Sequence, residues 1–516
     1  MAVVIAVFEI LLGLLIIAAL AVVVARAIFR LPAVSGRIAS TALPPVGTGA
    51  IAAALMPKAG APDGLTGVKP LPNGADAFAA RIILADAAVS SIDAQYYIWY
   101  GDLTGYMLLD ALRRAADRGV RVRLLLDDNG TSGLDPELAA LGAHPNIAVR
   151  LYNPFNLRRF KTLCYTFDFF RLNRRMHNKS FTVDGVVTIL GGRNVGDRYF
   201  DTGPEALFID LDVLATGAIV QQVSDDFDRY WACLSAHPAG PIVGSAGESD
   251  PIGSGLARFA QLPQFSEYLT FLEGSDIVAA MISGDLGLEW TRAVLVSDDP
   301  VKGQGAVPRE DLLATRLMQA VGRIEMKIDV VSPYLVPGKA GSKAFATLTS
   351  RGVAVRALTN SLEATDLVTV YAGYAKRRNA LLRAGVRLFE LHASAGADRQ
   401  SIKKGRFGLS RASLHAKTFA VDGARVFVGS FNFDPRSTTL NTEMGILFES
   451  PQMAEGLHTA FDLGLAGLAW RVELHGGHKV WTDTARQTAV TKEPGSTAVK
   501  RAVVTVVGWL PVEWLM

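Results

Sequence analysis

Cys164 and Cys233 are the only two cysteines in the 516 residues of this chain. They form no CxxC pair and no framework, which excludes a zinc ribbon and a disulfide-stapled secreted fold. Counting alone leaves a single bridge between them open. An excess of one charge is missing too: 52 Lys and Arg stand against 49 Asp and Glu, a formal net charge of +3. A protein devoted to nucleic acid would carry a far larger basic surplus. Histidine is sparse, at eight residues. His475 and His478, separated by two glycines, lack further ligands of the right kind and read as surface residues, so no metal is expected. What is abundant is apolar material: half the residues are hydrophobic and 20% are charged, a composition that folds around a large core. The mean hydropathy of +0.25 is high for so long a chain and asks for a membrane segment.

No Lys or Arg occurs before Arg26, and Ala2 to Ala25 is apolar except for Glu9. A helix of ~20 residues spans a bilayer, so this stretch is long enough. A cleaved secretory signal wants a basic start and an apolar run of only ~7–15 residues. An uncleaved anchor over 2–25 is therefore expected. Arg26, Arg30 and Arg37 follow the span, which puts the body on the cytoplasmic side by the positive-inside rule. Residues 31–74, rich in Pro, Gly, Ala and Thr, read as a linker, and 237–308 as a second linker with connecting helices. Ala502 to Met516 is apolar but short and broken by Pro511, so an interfacial or docked tail over 491–516 is preferred to a second span.

Between these breaks, apolar runs alternate with helical patterns, the signature of an α/β fold. The two long stretches, 75–236 and 309–490, echo each other. Ser91-Ile92-Asp93 through Tyr97 returns as Lys327-Ile328-Asp329 through Tyr334, Arg118-Gly119-Val120 as Arg351-Gly352-Val353, and Val149-Arg150-Leu151 as Val386-Arg387-Leu388. The partners lie 236, 233 and 237 residues apart. A constant offset means an internal duplication, giving two related α/β halves about a pseudo-twofold axis.

The strongest repeat closes each half. Met176-His177-Asn178-Lys179 through Asp184, then Gly191-Gly192-Arg193-Asn194, matches Leu414-His415-Ala416-Lys417 through Asp422, then Gly429-Ser430-Phe431-Asn432. The histidines are 238 residues apart, in step with the duplication. Residues i and i+2 of a strand share a face, so His177 projects with Lys179 and His415 with Lys417. Asp184-Gly185 and Asp422-Gly423 read as hairpin turns that bring Asn194 and Asn432 back beside those strands. Each half then offers an imidazole, an ammonium and an amide to one point. Face to face, two such sets suit a phosphodiester: the cations and amides hold its oxygens, one histidine attacks phosphorus, and the other protonates the leaving oxygen.

This duplicated pattern resembles the phospholipase D superfamily over about residues 75 to 490, and more narrowly the bacterial cardiolipin synthases of the C type. The narrower likeness rests on Arg175-Met176-His177-Asn178-Lys179, Gly191-Gly192-Arg193-Asn194-Val195-Gly196-Asp197 and Gly429-Ser430-Phe431-Asn432-Phe433-Asp434-Pro435-Arg436. The resemblance implies two phospholipase D-like halves, each a mixed sheet flanked by helices, in a bilobal body behind one membrane helix. It implies chemistry without metal or cofactor through a phosphohistidine, with His177 as nucleophile and His415 as acid and then base. A carboxylate beyond each Asn would orient a histidine: Glu443 in the second half, Asp210 or Asp212 in the first. Asp184 and Asp422 complete the motif, as participants or as turn residues. Gly192 departs from the usual Ser, which Ser430 keeps; if that hydroxyl touches phosphate, the first half lacks a donor.

Two basic stretches with aromatics, Arg158 to Arg175 and Lys403 to Arg411, precede the motif strands and are candidates for a rim that grips anionic headgroups. By resemblance, the expected activity is transfer of a phosphatidyl group to phosphatidylglycerol, making cardiolipin, with phosphatidylethanolamine as donor. The expected place is the bacterial inner (cytoplasmic) membrane. Hydrolysis to phosphatidic acid by the same chemistry is the alternative. A nuclease of the same superfamily is disfavoured by the anchor and the near-neutral charge, so no nucleic acid partner is expected.

Overall fold

Ser91–Ile98 is buried over its first six residues, as a central strand covered on both faces should be. Helix Leu103–Asp117, whose first turn is capped by the Asp102 side chain on Gly105 N, carries the chain back to a parallel strand, Arg121–Gly130. Helix Asp135–Gly142 and the parallel strand Ile147–Tyr152 repeat the move. The second half does the same with the parallel strands Lys327–Val331, Ala354–Asn360 and Arg387–Leu391. These are the duplicated tracts of the sequence, and the expected pair of related α/β halves is what the chain forms. The structure, a computed structural model, describes all residues except 36, 56–63, 203–206, 397–411, 512 and 516. The expected basic rim from Lys403 to Arg411 lies outside the described residues.

Each sheet is extended by antiparallel strands on the motif side. Ser180–Val183 pairs with Ser91–Ile98 and turns at Asp184-Gly185 into Val187–Gly191. Thr418–Val421 pairs with Lys327–Val331 and turns at Asp422-Gly423 into Arg425–Gly429. Both turns hold positive φ at both central residues, 54° and 66° in one and 53° and 69° in the other. That is the demand of a tight hairpin which Asp-Gly meets with least strain. Asp212–Gly217 and Met444–Glu449 come next in their respective sheets. The sheets have nine and ten strands, and the consecutive strands Glu289–Thr291 and Ala293–Ser297 end one and begin the other.

The duplication extends to buried charge. The Arg123 guanidinium forks onto Asp93 at 2.7 Å in both contacts and lies over the Phe227 ring. Arg356 does the same with Asp329 over Phe461. Burying such charges is costly unless both partners are satisfied, and the two-pronged geometry across neighbouring parallel strands does that.

The halves exchange strands as well as pack. Leu207–Ile209 of the first runs parallel to Ala412–Leu414 of the second, and Met176 bridges in parallel to Thr442. Each half therefore delivers the residue after its lent strand, Asp210 or Glu443, to the other half's histidine.

The presumed linkers are not loose chain. Residues 31–74 include the sheet strand Thr66–Leu71 and a strap bound along the first half. Arg150 and Arg123 donate to Ile38 O and Ser40 O at 2.7 and 2.9 Å, and Arg37 donates to Cys233 O at 2.6 Å. Composition signalled irregular backbone correctly, but not the arginines that dock it. Residues 237–308 contain three helices and both joining strands. Residues 491–516 include helix Ala498–Trp509, which packs on helix Val368–Arg383. Cys164 and Cys233 are free thiols, which closes the question of a bridge. The apolar helix runs from Ala2 to Ile28, 27 residues or roughly 40 Å at ~1.5 Å each, against a hydrocarbon core of ~30 Å. By length and composition it can cross a membrane.

Candidate active site

The backbone before each His-Lys pair is pinned by the end of a parallel strand. Met176 N donates to Asp127 Oδ2 at 2.8 Å. At the matching place Leu414 N donates to Asn360 Oδ1, also at 2.8 Å. With those strands fixed, the histidines need only a rotamer, and the opposite half sets it. His177 Nδ1 lies 2.8 Å from Glu443 Oε2 and 3.1 Å from Ser430 O. His415 Nδ1 lies 2.5 Å from Asp210 Oδ2. A carboxylate on Nδ1 keeps the proton there and leaves the Nε2 lone pair free. The histidines are 6% and 7% exposed, so they are buried but not sealed off. Tyr97 meets the His177 ring edge-on at 5.0 Å, and Tyr199 meets the His415 ring at 5.1 Å.

The lysines close the constellation. Lys179 Nζ donates to His177 O at 2.5 Å and lies 5.6 Å from the centre of the Tyr97 ring. Lys417 Nζ donates to His415 O and stands 3.0 Å from His415 Nδ1. Burial lowers the pKa of Lys179 to about 7, with the neighbouring Lys417 pressing the same way and Glu443 opposing. Burial likewise lowers Lys417. His415 is lowered to about 4 by burial and by Lys417, against the pull of Asp210. His177 is pushed well below its usual value by burial, by both lysines and by His415. These mutual effects place all four groups around one point, crowded with positive charge. An anion bound there would relieve the crowding, because it restores the charged form of each cation.

The carboxylates differ. Asp210 is held well below the usual carboxylate range: burial opposes this, but His415, Lys417 and Arg193 outweigh it. Glu443 is raised to about 7 by burial, despite Lys179 and the hydroxyl of Ser430. Asp298 lies beneath Glu443, accepting its backbone N–H at 3.0 Å, and Lys302 pairs with Asp298 at 2.8 Å.

Of the two first-half carboxylates, Asp210 takes the histidine, while Asp212 pairs with Arg81 at 2.8 Å and accepts Arg193 N at 3.1 Å. Ser430 is not aimed outward: its Oγ donates to Glu443 Oε2 at 2.5 Å, which makes it an orienting residue. Asn194 accepts Ile98 N at 3.1 Å and donates to Tyr199 OH at 2.9 Å, so its amide ties the loop and the tyrosine together. Asn432 Oδ1 is buried with no hydrogen-bond partner among the described residues. Asp184 and Asp422, counted as catalytic candidates on the motif, do not join the site. Each carboxylate takes backbone N–H groups of three successive residues, 89–91 and 325–327. They anchor the hairpin turns to the ends of the neighbouring strands. Gly192 has a steric reason: a Cβ there would stand 2.1 Å from Asp210 Oδ1. Sequence reasoning passed over Tyr97, Tyr199, Asp298 and Lys302. The signal for Tyr97 was present, since Tyr334 repeats it at the duplication offset.

Two carboxylate-held imidazoles, each flanked by a buried lysine and built by opposite halves of a duplicated α/β fold, define a phosphodiester-processing site of the phospholipase D class. The family described as "Cardiolipin synthase, PLD-like domain" matches residues 82–231 and 316–463, and the chain belongs to that family of enzymes. Cardiolipin synthase C of Escherichia coli strain K12 is 46% identical over 476 residues, 90% of this chain and 99% of that protein. Cardiolipin synthase A of Pseudomonas entomophila strain L48 is 27% identical over 383 residues, 74% of this chain and 64% of that protein. The crystal structure of a phosphatidylserine synthase from Haemophilus influenzae shares the fold, with a TM-score of 0.55 at 12% identity over 88% of this chain and 97% of that one.

Proposed function

We propose that the chain is a membrane-anchored phospholipid phosphatidyltransferase that makes cardiolipin, with phosphatidylethanolamine as donor and phosphatidylglycerol as acceptor. The observation that carries the proposal is the crossed pair of half-sites, in which each histidine is fixed by the other half's carboxylate. The likeness to cardiolipin synthase C supports the choice of product.

In the proposed reaction, Lys179, Lys417 and Asn432 hold the donor's phosphate. His177 Nε2 attacks phosphorus, the P–N bond forms, and the bond to the headgroup oxygen breaks. His415 passes its Nε2 proton to that oxygen. The acceptor hydroxyl then gives its proton back to His415 Nε2 as its oxygen attacks phosphorus and the P–N bond breaks. Environment supports this division of labour. His415 sits on a carboxylate that stays ionised, which stabilises the imidazolium an acid must pass through. His177 is lowered further and its partner Glu443 titrates near neutrality, so it stays neutral and nucleophilic.

A phosphohistidine must wait for a lipid alcohol in the presence of water, so proximity and exclusion decide the product. The helix Ala2–Ile28 would supply the proximity by anchoring the body at the inner membrane, with Arg26, Arg30 and Arg37 favouring the cytoplasmic side. The test is product analysis with mixed vesicles of the two lipids. Cardiolipin and free ethanolamine are expected, with phosphatidic acid as a minor product. Mainly phosphatidic acid would make the enzyme a phospholipase D.

A further inference from the structure

The apolar N-terminal helix does not leave the body at a loose end. Its last turns, at Val22 and Ala25, pack on Phe155, Cys164, Phe167 and Leu172, mostly from helix Lys161–Leu172. Arg26 Nε donates to Phe167 O at 2.7 Å, and Asn156 Nδ2 donates to Phe29 O at 2.8 Å. The strap beyond Phe29 is bound as well, by Arg37, Arg123 and Arg150. The span is therefore mounted rigidly, and wherever it enters a bilayer, helix Lys161–Leu172 lies at the entry point.

That helix buries Cys164 and Phe167 but leaves Leu163 and Phe170 51% and 72% exposed, with Phe160 at its start 59% exposed. Arg159 lies over the Phe160 ring at 5.8 Å. The C-terminal segment adds Trp509, Leu510 and Trp514, which are 79%, 48% and 48% exposed. One guanidinium joins the two surfaces. Arg436 donates to Asn173 Oδ1 and O, both at 2.9 Å, at the end of the helix, and to Leu515 O at 3.3 Å in the last turn of the chain. Arg436 follows Asn432 by four residues, so the junction lies at the site's end of the sheets.

Six large apolar side chains rarely gather on a water-exposed face without a partner. Tryptophan and phenylalanine beside arginine are the chemistry of the lipid headgroup zone. We propose that Phe160, Leu163, Phe170, Trp509, Leu510 and Trp514 form one surface that sits in the bilayer interface around the base of the span. The surface turns the mouth of the site toward the lipid. The proposal rests on the phosphatidyltransferase reading for its purpose, but it can fail by itself.

The experiment uses the full chain with Cys233→Ser, Cys164 being buried and out of reach of a label. A polarity-sensitive fluorophore is placed on Phe170→Cys, on Trp509→Cys, or on Asp117→Cys as control. Asp117 ends the helix that runs back from the site's end of the sheet to the start of strand Arg121–Gly130, so it lies at the opposite end. In phosphatidylethanolamine–phosphatidylglycerol vesicles, labels at 170 and 509 should show apolar emission and be quenched by lipids bearing shallow quenchers, while the label at 117 should not. Water-like emission at 170 and 509 would overturn the proposal. So would apolar emission that persists in detergent without change, because a protein surface would then be the cover. As a second arm, Phe170→Ser with Trp509→Ser should slow turnover on vesicles roughly tenfold and leave turnover of dispersed short-chain lipids unchanged. Equal turnover on vesicles would count against the surface. Water-like labels with cardiolipin still formed would remove the surface and spare the reaction. Shielded labels with neither lipid consumed would do the reverse.

Discussion

His415 rests on an aspartate beside a glycine, whereas His177 rests on a glutamate beside a serine. The two arrangements are the same device built twice with different lengths. Asp210 is short and approaches so closely that no Cβ fits at residue 192. Glu443 is longer by one methylene, and the Ser430 hydroxyl occupies and steadies its end. The exchange also sets charge. Asp210, with Lys417 and Arg193 nearby, stays anionic at neutral pH, while Glu443, above Asp298 and near Asp434, holds its proton up to about pH 7. A duplicated site need not be symmetric in chemistry; small compensated differences divide acid from nucleophile.

The largest effect that tests the division is removal of either imidazole. His177→Ala and His415→Ala should each lower transfer ~10²–10⁴-fold, the scale of a lost catalytic proton donor. They should differ with a donor whose leaving group needs no proton. His415→Ala should recover its first turnover there and His177→Ala should not, and the reverse pattern in rapid-quench assays would exchange the roles.

Gly192→Ser should cost ~10²-fold by displacing Asp210 from His415, a loss of the size seen when a histidine's supporting partner is removed. Combining it with Asp210→Glu, which copies the second half, should restore part of the rate. No recovery in steady-state assays would mean that the paired lengths are coincidental.

The carboxylates themselves sharpen the contrast. Asp210→Asn should impair turnover across the pH range. Glu443→Gln should be mild near pH 6, where Glu443 already holds a proton, and worse, by roughly tenfold, at pH 8, where it is ionised. Parallel pH–rate profiles for the two variants would erase the difference between the halves.

The smallest effect expected is none. No group of His, Cys, Asp and Glu able to hold a metal occurs among the described residues, and the lysines already supply positive charge. Chelation should leave turnover intact, and a loss reversed by a divalent cation would bring in a metal for which no site has been assigned.

Much of this was legible before any coordinates. The offset of 238 residues between His177 and His415, and the strands that share it, required two like halves. Tight turns at Asp184-Gly185 and Asp422-Gly423 followed from local chemistry. What was not legible depends on docking. The pairings His177–Glu443 and His415–Asp210 span 266 and 205 residues and cross between halves, and no periodicity within either half encodes them. The choice of Asp210 over Asp212 turns on one strand leaving its sheet after Ile209. The strap from 32 to 46 has no pattern of its own; its order comes from Arg37, Arg123 and Arg150, whose partners are backbone carbonyls and leave no mark in side-chain spacing.

Trapping the intermediate tests the central claim most directly. The chain is mixed briefly with phosphatidylethanolamine, quenched in alkali-stable conditions and digested for mass spectrometry. A phosphatidyl adduct on the peptide containing His177, discharged into cardiolipin when phosphatidylglycerol is added before the quench, is the predicted result. Cardiolipin formed with the adduct on His415, or with no adduct on either histidine, would contradict it.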